Sequence, residues 1–251
     1  MQVADKAALA GVALVTGGAR RVGAAIVERL HYGGMNVAIH CRNSRDEADA
    51  LAARLNHQRA DSAAVLVADL ADDAAVARLA VDAHARWGRL DALVNNASGY
   101  RRTPMGSVTP ALFDELISSN LKAPLLLIQA CLPLFAAQAG VVNILDTLAR
   151  HARPGFAPYT AAKAALWSLT ETLAVELAPR VRVNAVAPGH ILWAESTQLS
   201  AAQQAEELAR VPMGRLGAPE EIAAAVAYLL SPGSGYLNGV ILPVDGALRL
   251  G

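Results

Sequence analysis

The sequence predicts an α/β fold, a single doubly wound domain whose seven-stranded parallel sheet carries helices on both faces. Short Val/Ile-rich apolar runs alternate along the chain with longer alanine-rich segments of helical period. The apolar runs are nearly continuous, as strands buried on both faces must be. No low-complexity linker or fixed-period repeat interrupts the 251 residues, and a hydrophobic fraction of 54% is ample for one large core. Right-handed crossovers then make a doubly wound sheet the natural topology.

In chain order, VALVT (12–16), NVAIH (36–40), AVLV (64–67), ALVN (92–95), VVNIL (141–145), VRVNAVA (181–187) and VILPV (240–244) read as strands. The intervening residues 24–32, 46–57, 74–87, 111–137, 159–177 and 219–230 have the length and alanine content of helices. Residues 190–217 carry the weakest pattern. A long polar connection at the carboxyl side of such a sheet reads as a substrate loop within the one domain of residues 1–251, with a plain solvent-exposed excursion as the alternative.

Twenty-two basic and twenty-two acidic residues give no net charge, which argues against nucleic acid or an anionic membrane as the main partner. Cys41 and Cys131 cannot build a disulfide framework and read as small buried hydrophobes. The start, MQVADKAALA, has no secretory pattern, and the most apolar stretch (123–137) is too short and too interrupted by Pro124, Gln129 and Pro133 to span a bilayer. The expectation is a soluble, cytoplasmic protein. None of the six histidines makes a metal-ligand pattern, so no metal is expected.

The first strand runs through TGGARRVG (16–23) directly into a helix. Glycines at Gly17 and Gly23 let a pyrophosphate approach the backbone, and the helix amino terminus beginning near Arg20, Arg21 and Val22 supplies free N–H groups. This pattern predicts the dinucleotide turn of a Rossmann-type domain, with ordinary turn chemistry as the alternative. The second strand ends in His40, Arg42, Asn43, Ser44 and Arg45, where an NAD site usually carries an acid. Cationic and hydrogen-bonding groups there suit a 2′-phosphate, so NADPH is the expected cofactor; which of Arg42, Asn43, Ser44 and Arg45 makes the contact stays open. Asp69-Leu70 after the third strand can receive the adenine amino group, and Asn96-Ala97 after the fourth can pack beside the cofactor; either is also an ordinary turn signal.

Tyr159 and Lys163, four residues apart on a helix, share one face. A nearby ammonium lowers a phenol's pKa, so Tyr159 is expected to exchange protons near neutrality.

Over essentially its full length the chain resembles the short-chain dehydrogenase/reductase family, through residues 16–23, Asn95–Ala97, Asn120, Tyr159 with Lys163, Asn184, Pro188-Gly189 and Val244-Asp245-Gly246. The resemblance implies that Tyr159 is the general acid, that Lys163 holds the nicotinamide ribose, that Asn120 anchors a water, and that Pro188 and Gly189 line the cofactor. It also implies a homotetramer. Two positions depart from the family pattern. Arg21 replaces the middle glycine of the turn, and Asp146 stands thirteen residues before Tyr159, where the family has serine. An ionised carboxylate would repel the oxyanion of a reduced ketone, whereas a carboxyl group suits a ring nitrogen that must gain a proton.

Both departures resemble the pteridine reductase branch, which reduces pterins and folates with NADPH. That resemblance implies that Arg21 touches cofactor phosphate and substrate, that Ser98 lies near the pterin, and that Tyr100 stacks on it. Catalysis is then expected at Asp146, Tyr159, Lys163 and Asn120, and substrate binding at Arg21, Ser98, Tyr100, Asp146 and Tyr159. The alternatives are a carbonyl reductase of 3-oxoacyl or other ketone substrates and a non-catalytic NADPH-binding regulator.

Overall fold

The structure, a computed structural model, describes residues 9–193 and 200–250. Its seven parallel strands are β1 (Val12–Val15), β2 (Asn36–Cys41), β3 (Ala63–Val67), β4 (Leu90–Asn95), β5 (Phe135–Ile144), β6 (Val181–Pro188) and β7 (Ile241–Val244). They lie in the order β3-β2-β1-β4-β5-β6-β7. The order reverses between β1 and β4, so a crevice opens beyond their carboxyl ends; ligands of doubly wound sheets bind at such a point.

Helices cover both faces, as the apolar strands require. On one face α1 (Arg21–Tyr32), α2 (Arg45–Gln58) and α8 (Pro219–Leu230) close a core containing Ile26, Leu30, Leu55, Ile222 and Val226. On the other, α3 (Asp73–Ala85), α5 (Ala123–Cys131) and α6 (Ala157–Glu176) pack Leu79, Leu127, Ile128 and Leu173 against β1, β4, β5 and β6. The short α4 (Pro110–Ile117) begins at Thr109, whose hydroxyl accepts from the Leu112 N–H at 3.2 Å. Cys41 and Cys131 are buried and unpaired.

One expected helix is not continuous. Residues 111–137 divide into α4, a π-helical turn at Ser118–Lys122, α5, and the first residues of β5. Pro133 stops the helix, and β5 then begins with Phe135 opposite Leu90, the register shifting before Gly140 pairs with Ala92. A short apolar run cannot be told from helix by period alone. The stretch expected as a loop holds α7 (Ala201–Ala209), started by a capping box in which Ser200 Oγ accepts from the Gln203 N–H (3.3 Å) and Gln203 Oε1 from the Ser200 N–H (2.9 Å). Residues 194–199 of that stretch, and residues 1–8 at the start, lie outside the described residues. Among the described residues no helix is long and apolar enough to cross a membrane, and no cluster of three or more His, Cys, Asp or Glu could hold a metal.

Candidate active site

The turn after β1 is held from three sides. Gly17 takes φ +61, a conformation that costs glycine nothing. Asn96 Nδ2 donates to the Thr16 and Gly17 carbonyls at 2.9 and 3.0 Å, and Thr16 Oγ1 accepts the Asn96 and Ala97 N–H groups at 3.0 Å each. A Cβ at Gly23 would collide with the Gly17 carbonyl oxygen and lie 2.7 Å from Asn96 Nδ2. The backbone at the start of α1 is thus bare and fixed, which is what a close-approaching phosphate needs. Arg21 sits at φ +54, a left-handed conformation costing a non-glycine residue about 1 kcal/mol. Its Nη2 donates to the Trp193 carbonyl at 2.8 Å, reaching the segment that follows β6. Val22 packs against the core behind the turn.

His40, expected among the cofactor contacts, spends both ring nitrogens on backbone. Nδ1 accepts from the Gly17 N–H at 3.2 Å and Nε2 donates to the Ala68 carbonyl at 3.1 Å. Burial lowers its pKa, which suits the neutral ring this arrangement requires. The side chain therefore braces the turn.

Arg42 and Asn43 line an open hollow with Ala68, Asp69, Asp72 and Arg78 beyond the ends of β2 and β3. Arg42 Nη1 lies 3.9 Å from Asp69, which also accepts the Ala71 N–H at 3.0 Å. Arg45 instead pairs with Asp49 at 3.3 Å, Arg20 with Glu47 at 3.8 Å, and Ser44 stands at the N-cap of α2. Leu70 packs towards the core on the α3 face. Arg78 was not among the expected site residues. It belongs to α3, far along the chain from Arg42, and no local motif marks it.

At the carboxyl end of β5, Asp146 Oδ2 accepts from Tyr159 Oη at 3.0 Å and from Arg153 Nη1 at 3.1 Å, while Oδ1 accepts the Leu148 N–H at 2.8 Å. Arg153 Nη2 donates to Tyr100 Oη at 2.8 Å. The Tyr100 ring stacks on Phe156 (centroids 5.1 Å apart) and meets Tyr159 edge-on at 5.0 Å. Lys163, buried beneath, donates to the Ile144 carbonyl at 2.7 Å. The structure thus brings Asp146, Tyr159 and Tyr100 together, and adds Arg153 and Phe156, which no motif in the sequence marks.

The expectation of a lowered Tyr159 pKa is overturned. Burial, then the Asp146 carboxyl group, push it well above the ordinary value, while burial lowers Lys163 to about 8. Tyr159 is held as a neutral phenol, the protonated form a general acid requires.

Asn120 lies in the π-helical turn, a kind of irregularity that recurs at functional sites. Its Nδ2 donates to the Gly99 and Leu116 carbonyls at 2.9 Å each, and its Oδ1 accepts from Ser98 Oγ at 2.7 Å. Ser98 and Asn120 thus tie the loop after β4 to α4. Across the crevice, Pro188 ends β6; the Gly189 N–H donates to the Val244 carbonyl at 3.0 Å, and a Cβ at Gly189 would lie 2.7 Å from Asp245 Cα. Thr147, beside Asp146, donates to Asp245 Oδ2 at 2.7 Å, tying the carboxyl-terminal segment to the site.

A family model described as enoyl-(acyl carrier protein) reductase matches residues 17–248. The chain belongs to the short-chain dehydrogenase/reductase family. It is 39% identical to an uncharacterized oxidoreductase of Mycobacterium tuberculosis, covering 94% of this chain and 91% of the relative. It is 35% identical to pteridine reductase 1 of Leishmania tarentolae (96% and 97% covered) and 34% identical to a 3-oxoacyl-[acyl-carrier-protein] reductase of Staphylococcus aureus (95% and 98%). The crystal structure of a blue fluorescent protein from a metagenomic library, in complex with NADPH, superposes with a TM-score of 0.90 at 34% identity, over 95% of this chain and 97% of that one. The chain is an oxidoreductase of this family with a Rossmann-type fold.

Proposed function

We propose that the protein is an NADPH-dependent reductase of pterins or folates, converting a dihydro substrate to its tetrahydro form at a C=N bond of the ring. The bare turn at Gly17 and Gly23 fits a dinucleotide, and Arg42 and Arg78, paired across the hollow with Asp69 at 3.9 Å and Asp72 at 3.6 Å, are the guanidinium groups there that a 2′-phosphate would engage. NADPH would supply the hydride. The observation that carries the substrate class is the 3.0 Å hydrogen bond between Tyr159 and Asp146. It places a carboxyl group, where the family has a serine hydroxyl, directly against the proton donor.

In this reading Tyr159 gives its proton to the ring nitrogen, directly or through Asp146, and Asp146 receives a substrate N–H. Lys163, fixed by Ile144 and acted on by the Asp146 charge, supplies a buried positive charge to the site. Arg21 reaches over the turn towards the substrate, and Tyr100 offers an aromatic surface beside Tyr159.

A ketone substrate of the 3-oxoacyl type is the second reading, favoured by one observation. Arg153 lies 3.1 Å from Asp146 and offsets the charge that would repel an oxyanion. NADPH oxidation should be followed with dihydrobiopterin, dihydromonapterin and dihydrofolate beside a panel of small ketones and 3-oxoacyl thioesters. Pterin turnover without ketone turnover supports the first reading; the reverse pattern replaces it with the second.

A further inference from the structure

The Asp146 site already holds an occupant of the protein's own. Arg153, in the loop between β5 and α6, donates through Nη1 to Asp146 Oδ2 at 3.1 Å and through Nη2 to Tyr100 Oη at 2.8 Å. Its guanidinium carbon lies over the Phe156 ring at 4.5 Å and over the Tyr100 ring at 5.4 Å. The side chains of Arg153 and Asp146 are only 21% and 16% exposed, so the pair is largely shielded from solvent. A guanidinium is a flat group with N–H donors around its edge and a face that stacks on aromatics. An amidine or the 2-aminopyrimidine edge of a fused heterocycle presents the same features.

We propose that Arg153 is a built-in competitor for the substrate seat, and thereby a specificity-determining residue of the site. A substrate reaches Asp146 by displacing the guanidinium, and only a planar heterocycle bearing N–H donors replaces both what Asp146 and what the aromatic rings lose. A ketone or acyl chain brings no N–H; displacing Arg153 would leave a largely buried carboxyl group short of a partner, a loss that an apolar contact does not offset. Arg153 therefore filters substrates by the interactions they must restore. The inference rests on the proposed heterocycle-reducing site, and the test separates the two.

Benzamidine and 2-aminopyrimidine are titrated calorimetrically into the full chain without cofactor, comparing wild type with Arg153→Ala and Arg153→Met; the methionine retains an unbranched apolar stem over Phe156. Removing a charge-assisted competitor should tighten both probes about tenfold. Acetone and cyclohexanone should show no such gain. Near-UV circular dichroism and NADPH affinity matching wild type confirm that the variants are folded. Probe affinity that is unchanged or weakened in both folded variants overturns the proposal, because Arg153 would then be neutral or part of the receiving site. Tightened probes in a protein that reduces no pterin would uphold Arg153 as the filter and remove the pterin reading alone.

Discussion

Raising the pH from 7 to 10 should strengthen the fold of the cofactor-free protein through one buried cation. Lys163 is 2% exposed, and burial lowers its pKa from 10.5 to about 8, with Asp146 opposing the shift. Below pH 8 both folded and unfolded chains carry the proton, and the folded state bears the cost of an ammonium removed from water. Between pH 8 and 10.5 the unfolded chain still holds the proton while the folded one has released it, so stability rises with pH. A depression of that size corresponds to about 3 kcal/mol in full, of which about 2 kcal/mol is reached by pH 10. Above pH 10 the sign reverses for Tyr159, whose raised pKa makes the unfolded chain the first to lose that proton. Urea unfolding at fixed protein concentration, in half-unit steps from pH 7 to 10, would read the effect as the difference between wild type and Lys163→Met. The wild-type curve should climb about 2 kcal/mol relative to the variant. Parallel curves would refute the reasoning, since Lys163 would then titrate alike in both states.

Four further outcomes follow from the site. Asp146→Ser should lower dihydropterin turnover about a hundredfold while leaving the NADPH dissociation constant within about twofold, measured by stopped-flow absorbance and fluorescence titration. Gly23→Ala should abolish cofactor binding and destabilise the fold by about 1–3 kcal/mol in urea unfolding, because the new methyl meets the Gly17 carbonyl. The double change Arg42→Ala with Arg78→Ala should cut the preference for NADPH over NADH about tenfold or more, by comparison of kcat/KM for the two cofactors. Arg21→Gly should relieve the strain of φ +54, so that its stability loss in urea unfolding is smaller by about 1 kcal/mol than that of Arg21→Ala, which forfeits the same bond to Trp193.

Much of the site was legible because its members sit at the ends of strands that the apolar pattern locates. Gly17, Asn96, Asp146 and Gly189 each follow β1, β4, β5 and β6 within a few residues, so the sheet alone carries them to one edge. The helix expected over residues 111–137 failed because alanine and leucine suit either state, and only the pairing of Phe135 with Leu90 of β4 makes β5 begin there. The start of α7 is legible in Ser200 and Gln203, which have the spacing of a capping box. The Tyr159 pKa ran opposite to expectation because spacing shows which charges are near, whereas burial depends on everything packed around them.

The sequence by itself determined the layered parallel sheet, the glycine turn, the placing of Tyr159 and Lys163 four residues apart on one helix and the substitution of aspartate for serine. These are properties of local period and of single positions, and short-range sterics dictate them. Only the tertiary structure decided that His40 braces the turn, that Arg78 joins Arg42, and that Arg153 lies between Asp146 and Tyr100. The bracing by His40, the meeting of Arg78 with Arg42 and the bond from Arg153 to Tyr100 join separate elements or loops, and the order of β3-β2-β1-β4-β5 brings them within hydrogen-bonding reach or onto a common hollow. Distance along a chain says nothing of such proximity; the register of the sheet and the packing of its helices create it.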